Sequence, residues 1–63
     1  MNAQDLIAVV PVFNEAATVA AVVEGLRGLC PVIVVDDAST DRSGHRAAAA
    51  GAACVLRHPR RLG

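Results

Sequence analysis

The hydrophobic pattern changes period along the chain, and the changes mark its elements. Leu6-Ile7-Ala8-Val9-Val10 is an unbroken apolar run with no helical spacing, and it reads as a strand buried on both faces. Pro11 has no amide to donate, so regular pairing is expected to end near it, with Val12 to Glu15 turning at the carboxyl end. Val19, Val22, Val23, Leu26 and Leu29 then recur at helical spacing and form one apolar stripe. Asn14 is the candidate N-cap of that helix, and Glu15 falls in its first turn, where the helix dipole favours negative charge. Gly28 and Pro31 stop the helix.

Val32-Ile33-Val34-Val35 follows as a second, β-branched strand, again expected to be buried on both sides, and it ends in Asp36 and Asp37. Ser39, Thr40 and Asp41 are cap residues for a second helix at about Arg42 to Ala50, which Gly51 terminates. Ala53 to Arg57 is a third strand, and His58 to Gly63 is a basic loop. The order strand, helix, strand, helix, strand predicts right-handed parallel crossovers. The fold class is therefore α/β: part of a doubly wound parallel sheet in the order 3-2-1, with the first strand at an unpaired edge. All three strands would end on one rim, where open α/β sheets bind ligands.

Composition narrows this picture. Sixty-three residues make at most one small domain, and although 54% are hydrophobic, much of that share is alanine and only one residue is aromatic. A full core is hard to reach with such side chains, so the chain is expected to be a truncated part of a larger domain. Six arginines balance six acids, which gives no general affinity for nucleic acid. Cys30 and Cys54 are too few for a zinc site and too far apart for a redox motif, and they are expected to be small buried hydrophobes in a reducing compartment. No apolar run approaches the length of a membrane span, and the start lacks the basic flank of a signal peptide; a cytoplasmic location is expected.

The candidate chemistry is acidic. Where a dinucleotide fold carries Gly-x-Gly-x-x-Gly after its first strand, this chain reads Pro11-Val12-Phe13-Asn14-Glu15-Ala16, and no P-loop occurs. Glu15 would repel a phosphate there. A nucleotide would instead have to be held by carboxylates, which accept hydrogen bonds from a ring imide or from ribose hydroxyls. Asp36 and Asp37 are consecutive in an extended segment and so face opposite ways. One is expected on the ligand and the other on loop or helix-start amides.

Pro11-Val12-Phe13-Asn14-Glu15 followed by Val34-Val35-Asp36-Asp37-Ala38-Ser39-Thr40-Asp41 resembles the amino-terminal part of family 2 glycosyltransferases with the GT-A fold. The likeness is greatest to the branch containing polyprenyl-phosphate (dolichol-phosphate type) sugar transferases. It spans nearly the whole chain. It implies that residues 1–63 are the nucleotide-sugar-binding half of a GT-A domain. Pro11, Phe13, Glu15 and Asp36 would contact the base and ribose of a nucleoside-diphosphate sugar. Asp37 and Ser39 would shape that pocket, Asp41 would start the next helix, and Arg60 or Arg61 would approach the nucleotide.

The family's metal-binding Asp-x-Asp and its catalytic base would lie beyond Gly63. A divalent cation, magnesium or manganese, is thus expected in the full-length protein and not in this part of it, which alone should not transfer sugar. The resemblance further implies inversion by direct displacement and, as one acceptor, a polyprenyl phosphate at the cytoplasmic membrane face. Two other readings compete. A phosphoacceptor receiver domain also carries an acid pair at a strand end, but at the first strand, with a further aspartate after the third, where Leu56-Arg57-His58 has no acid. A non-catalytic nucleotide-binding module would keep the pocket alone.

Overall fold

The structure, a computed structural model, describes residues 6–60. The elements follow in the order β1 (Ala8–Val12), α1 (Ala16–Arg27), β2 (Val32–Asp37), α2 (Ser43–Ala50) and β3 (Cys54–His58). The three strands form one parallel sheet in the order β1-β2-β3, so β2 is central. This is the expected adjacency. Val12 lies opposite Asp36, and Asp37 opposite His58, which brings all three carboxyl ends to one rim.

Both crossovers advance in the same direction across the sheet, so both helices lie on the same face and pack against each other. That arrangement corrects the expectation of strands buried on both sides. Burial along β2 alternates strictly: Val32, Val34 and Asp36 are buried, whereas Ile33, Val35 and Asp37 are only partly covered. In β1, Val9 is 62% exposed while Val12 is buried. A continuous apolar run is compatible with either one or two covered faces, and only the placement of the helices decides between them.

The core is a layer of valine and alanine: Val12, Val32 and Val34 from the sheet, Val19 and Val23 from α1, Ala47 and Ala50 from α2. Each fully buried valine contributes about 1.5–2 kcal/mol at most, so this layer is thin. The helix-free face carries Val9, Ile33, Val35, Cys54 and Leu56, with Leu56 52% exposed. Cys54 is therefore exposed, not the buried hydrophobe anticipated, while Cys30 is half-buried; both are free thiols. In α1 the predicted stripe is narrower than its spacing suggests. Val19 and Val23 are buried and Leu26 packs beside them, but Val22 is exposed and Leu29 lies past the helix end.

Boundaries shift in three elements. β1 runs from Ala8 through Pro11 to Val12, because Pro11 sits on an edge strand where the missing amide costs no ladder bond. α2 begins at Ser43, one residue later than expected. β3 ends at His58, which places that histidine in the sheet and not in a loop.

Candidate functional site at the carboxyl rim

The two aspartates that end β2 point to opposite faces, as their consecutive positions require, and each meets a basic residue directly across on β3. Asp36 faces the helices and is 0% exposed. Its Oδ1 accepts the backbone N–H of Ser39 at 2.9 Å, and its Oδ2 accepts Nη1 of Arg57 at 2.9 Å. Arg57 also donates from Nη2 to the Ser39 carbonyl at 2.8 Å. Asp36, Ser39 and Arg57 thus form a closed ring of hydrogen bonds that folds the chain over the strand end. Burial pushes the Asp36 carboxyl up, but the hydrogen bonds from Ser39 and the Arg57 guanidinium outweigh it and hold it below the ordinary carboxylate range.

The turn is tight enough to force Ala38 into the left-handed region at φ 64°. Gly44, in the first turn of α2, has no side chain because none fits; a Cβ there would lie 2.9 Å from Asp36 Oδ2.

The β2–α2 loop also caps the first helix. Asn14 N–H donates to Ser39 Oγ at 2.8 Å, Glu15 N–H to Ser43 Oγ at 2.8 Å, and Ala16 N–H to Asp41 Oδ2 at 3.0 Å. Asn14 Oδ1 in return accepts Thr40 N–H at 2.8 Å. Asp41 Oδ1 receives the Ser43 amide at 3.1 Å and, very closely, the Ser43 hydroxyl. These bonds, the Ser43 hydroxyl first, hold the Asp41 carboxyl below its usual range.

The capping differs from the expected one. Asn14 is not the N-cap of α1; it adopts φ 52° and braces the neighbouring loop, while Glu15 occupies the cap position without a side-chain bond. The amides of residues 14–16 are the ones a dinucleotide fold offers to phosphate. Here hydroxyls and a carboxylate of the same chain already fill them.

Asp37 is placed differently. It lies on the helix-free face, its side chain 19% exposed, with Oδ1 at 3.1 Å from His58 Nδ1. Pro11 is exposed on that same face of β1. Phe13 is half-buried and Glu15 exposed at the same rim, so Glu15 and Asp36 do not lie at opposite ends of the molecule. Ser39 is buried within the capping network, and Arg60 is exposed beyond β3. Arg61 lies outside the described residues.

On the other side of the rim, between α2 and β3, a cleft of about 590 Å³ is lined by Thr40, Arg42, His45, Ala48, Val55 and Arg57 among others. Arg57 is an anchor for Asp36 there. Sequence reasoning missed Ser43 and gave His58 no partner. A Ser two residues after an Asp is a signal of local capping, but nothing in the sequence reports the cross-strand register that joins His58 to Asp37.

The Pro11–Glu15 turn and the Asp36–Asp41 loop lie together at one strand edge, and the model of glycosyl transferase family 2 matches residues 7–63. The chain belongs to glycosyl transferase family 2. No curated protein matches it at a significant level. Membership supports a function in glycosyl transfer. The receiver alternative does not fit this rim, because its acid pair would have to end β1 and to present both carboxylates to a metal; here the pair ends β2 and one member is buried on arginine.

A divalent cation implied by the family does not fit these residues. The Asp36 and Asp41 carboxylates are occupied by internal donors, and among the described residues no three His, Cys, Asp or Glu side chains are grouped as a metal site. Among the same residues, no helix is long and apolar enough to cross a membrane.

Proposed function

We propose that this chain is the nucleotide-sugar-binding half of a family 2 glycosyltransferase domain, and that it holds the donor's nucleoside on the helix-free side of the carboxyl rim. The observation that carries this reading is the unequal treatment of the two consecutive acids. Asp36 is sealed into the fold by Ser39 and Arg57, whereas Asp37 lies on the helix-free face, the same face as Pro11. An ionised carboxylate in that position accepts from a ring imide or ribose hydroxyl, each such bond being worth about 1.5–3 kcal/mol when sheltered. Phe13 and Glu15 border the same rim, Arg60 follows β3 there, and Arg61 is next in sequence.

Saturation of the amides at residues 14–16 favours recognition through the nucleoside over recognition through phosphate at this helix start. Transfer to an acceptor such as a polyprenyl phosphate, with inversion by direct displacement, rests on the resemblance of the two motifs. When bound, a divalent cation would offset charge on the leaving diphosphate. The residues described here contribute binding and orientation only.

The test is calorimetric titration of the full-length transferase with UDP and GDP. Asp37→Ala is expected to weaken binding of the preferred nucleotide by roughly tenfold or more. Unchanged affinity in Asp37→Ala, with the protein folded, would reject the site.

A further inference from the structure

The cleft between α2 and β3 lies apart from the proposed donor site, and its lining has a chemistry of its own. We infer that it is a second binding site, for a phosphate monoester that carries an apolar group. The inference is independent of the donor site, because the cleft lies on the helix side of the sheet and Asp37 on the other.

The walls follow from two local periods. Arg42, His45 and Ala48 recur at intervals of three along α2 from its N-cap and so share one face of the helix. Val55 and Arg57 alternate along β3 and face the helices, since they pair with Val34 and Asp36 on the buried side of β2. The short side chains of Ala48 and Val55 leave about 590 Å³ between these walls. Sites for small molecules span roughly 300–1,000 Å³.

The two ends of the cleft differ. Arg42, His45, Arg57 and the Thr40 hydroxyl lie toward the rim, while Ala48 and Val55 lie further from it along their elements. Arg57 gives one N–H to Asp36 and another to the Ser39 carbonyl, but its side chain is 53% exposed and the rest of the guanidinium fork stays open. Asp36, the acid among the lining residues, has its charge matched by that guanidinium and both oxygens engaged. Among the described residues, the side chains of Arg42 and His45 have no hydrogen-bond or ion-pair partner. The rim end therefore carries a surplus of donors and of positive charge. A phosphate monoester presents three acceptor oxygens to such a set, one more than a carboxylate, and guanidinium forks match its geometry. The apolar end receives the group that the ester carries.

The full-length transferase is titrated by calorimetry with phenyl phosphate and with inorganic phosphate. It is also sedimented with phosphatidylcholine vesicles that contain or lack phosphatidic acid. Phenyl phosphate is expected to bind one-to-one and more tightly than inorganic phosphate, because only its ring reaches Ala48 and Val55. Binding confined to vesicles with phosphatidic acid, and lost in Arg42→Asn, would support the same site with a lipid headgroup as the source of the phosphate.

Arg57 is left unaltered in the variants, since its loss would open the Asp36 ring. Arg42→Asn removes a charge yet tolerates the left-handed backbone there, φ 67°. Arg42→Asn and His45→Ala are each expected to weaken phenyl phosphate binding about five- to tenfold at an unchanged thermal midpoint. Arg46→Ala removes an exposed charge from the same helix outside the cleft and should stay within about twofold of wild type.

Absence of saturable binding by all three probes would overturn the inference. So would phenyl phosphate no tighter than inorganic phosphate, or equal losses in Arg46→Ala and Arg42→Asn, which would mean diffuse attraction between charges. One-for-one displacement of phenyl phosphate by UDP or GDP would overturn it too, by giving the cleft to the donor.

Discussion

Substituting asparagine for Asp36 removes one charge at nearly constant size and tests whether this acid is a structural post. In the wild-type rim its carboxylate is 0% exposed and accepts from Ser39 N–H and Arg57 Nη1, each at 2.9 Å. Asparagine keeps an oxygen for the Ser39 amide but turns an NH₂ group toward the guanidinium, so donor faces donor. Losing a charge-assisted hydrogen bond costs about 1.5–3 kcal/mol, and breaking a wholly buried ion pair costs about 3–5 kcal/mol. The lower range applies here, because the Arg57 side chain is 53% exposed and its freed end can hydrate. The Nη2 bond to the Ser39 carbonyl also survives the change. Asp36→Asn is therefore expected to destabilise the domain by about 2 kcal/mol at neutral pH.

The pH dependence supplies an internal control. The folded carboxyl is held below the ordinary range, chiefly by Ser39 and Arg57 working against burial. A depressed carboxyl contributes stability that is fully present above its unfolded value of about 3.9 and is lost as pH falls through the lower folded value. Urea denaturation from neutral pH into the acid range should thus show a gap between wild type and Asp36→Asn that closes below the usual carboxylate range. A gap independent of pH, or none at all, would refute the post. So would loss of nucleotide binding at unchanged stability, since that outcome would return Asp36 to the ligand.

The same geometry makes other outcomes measurable. Ala38→Gly relieves a left-handed alanine at φ 64°, and even after the entropy glycine adds to the unfolded chain it should raise stability by about 0.5–1 kcal/mol in urea. Gly44→Ala improves helix propensity yet drives a methyl to 2.9 Å from a pinned carboxylate oxygen; a net loss of about 1–2 kcal/mol is expected, and a gain would mean that the Asp36 ring yields easily. Asp41→Ala uncaps both Ala16 and Ser43 and should cost about 1–2 kcal/mol by denaturation.

Much of the fold was legible in the chain. Apolar runs separated by one helical stripe and one alanine run are enough to order the elements, and two crossovers of sufficient length dictate parallel strands. The rim was legible for the same reason, because acids at the end of a β-branched run have nowhere else to lie. What the run could not disclose is how many of its faces are covered. Ile33 and Val35 are as apolar as Val32 and Val34, yet only the latter pair meets the helices.

That Asp36 and Asp37 face opposite ways was expected, but the resemblance put Asp36 on the ligand, whereas Asp36 is buried on Ser39 and Arg57; the difference comes from register, since Arg57 and His58 are assigned to the two acids by strand pairing. Capping was legible only in part for a related reason. The local rule sends Ser39 and Asp41 to their own helix, and Asp41 does accept the Ser43 amide there through Oδ1, but its Oδ2, Ser39 and Ser43 accept from amides 25–28 residues away.

That long-range capping bears directly on how a nucleotide can be read here. A helix start with open amides binds phosphate irrespective of the base attached to it, because every nucleotide carries the same anion. Filling those amides with Ser39, Ser43 and Asp41 removes the general attraction, and Asp41 adds a negative charge in its place. Whatever affinity the rim has for a nucleotide must then come from groups that distinguish one nucleoside from another, and carboxylates facing ring and ribose donors are of that kind. The same substitution ties the two crossover loops into one body, so the rim cannot loosen at one loop without losing caps at the other. Rigidity and selectivity at this edge therefore have a common origin in three side chains, Ser39, Asp41 and Ser43.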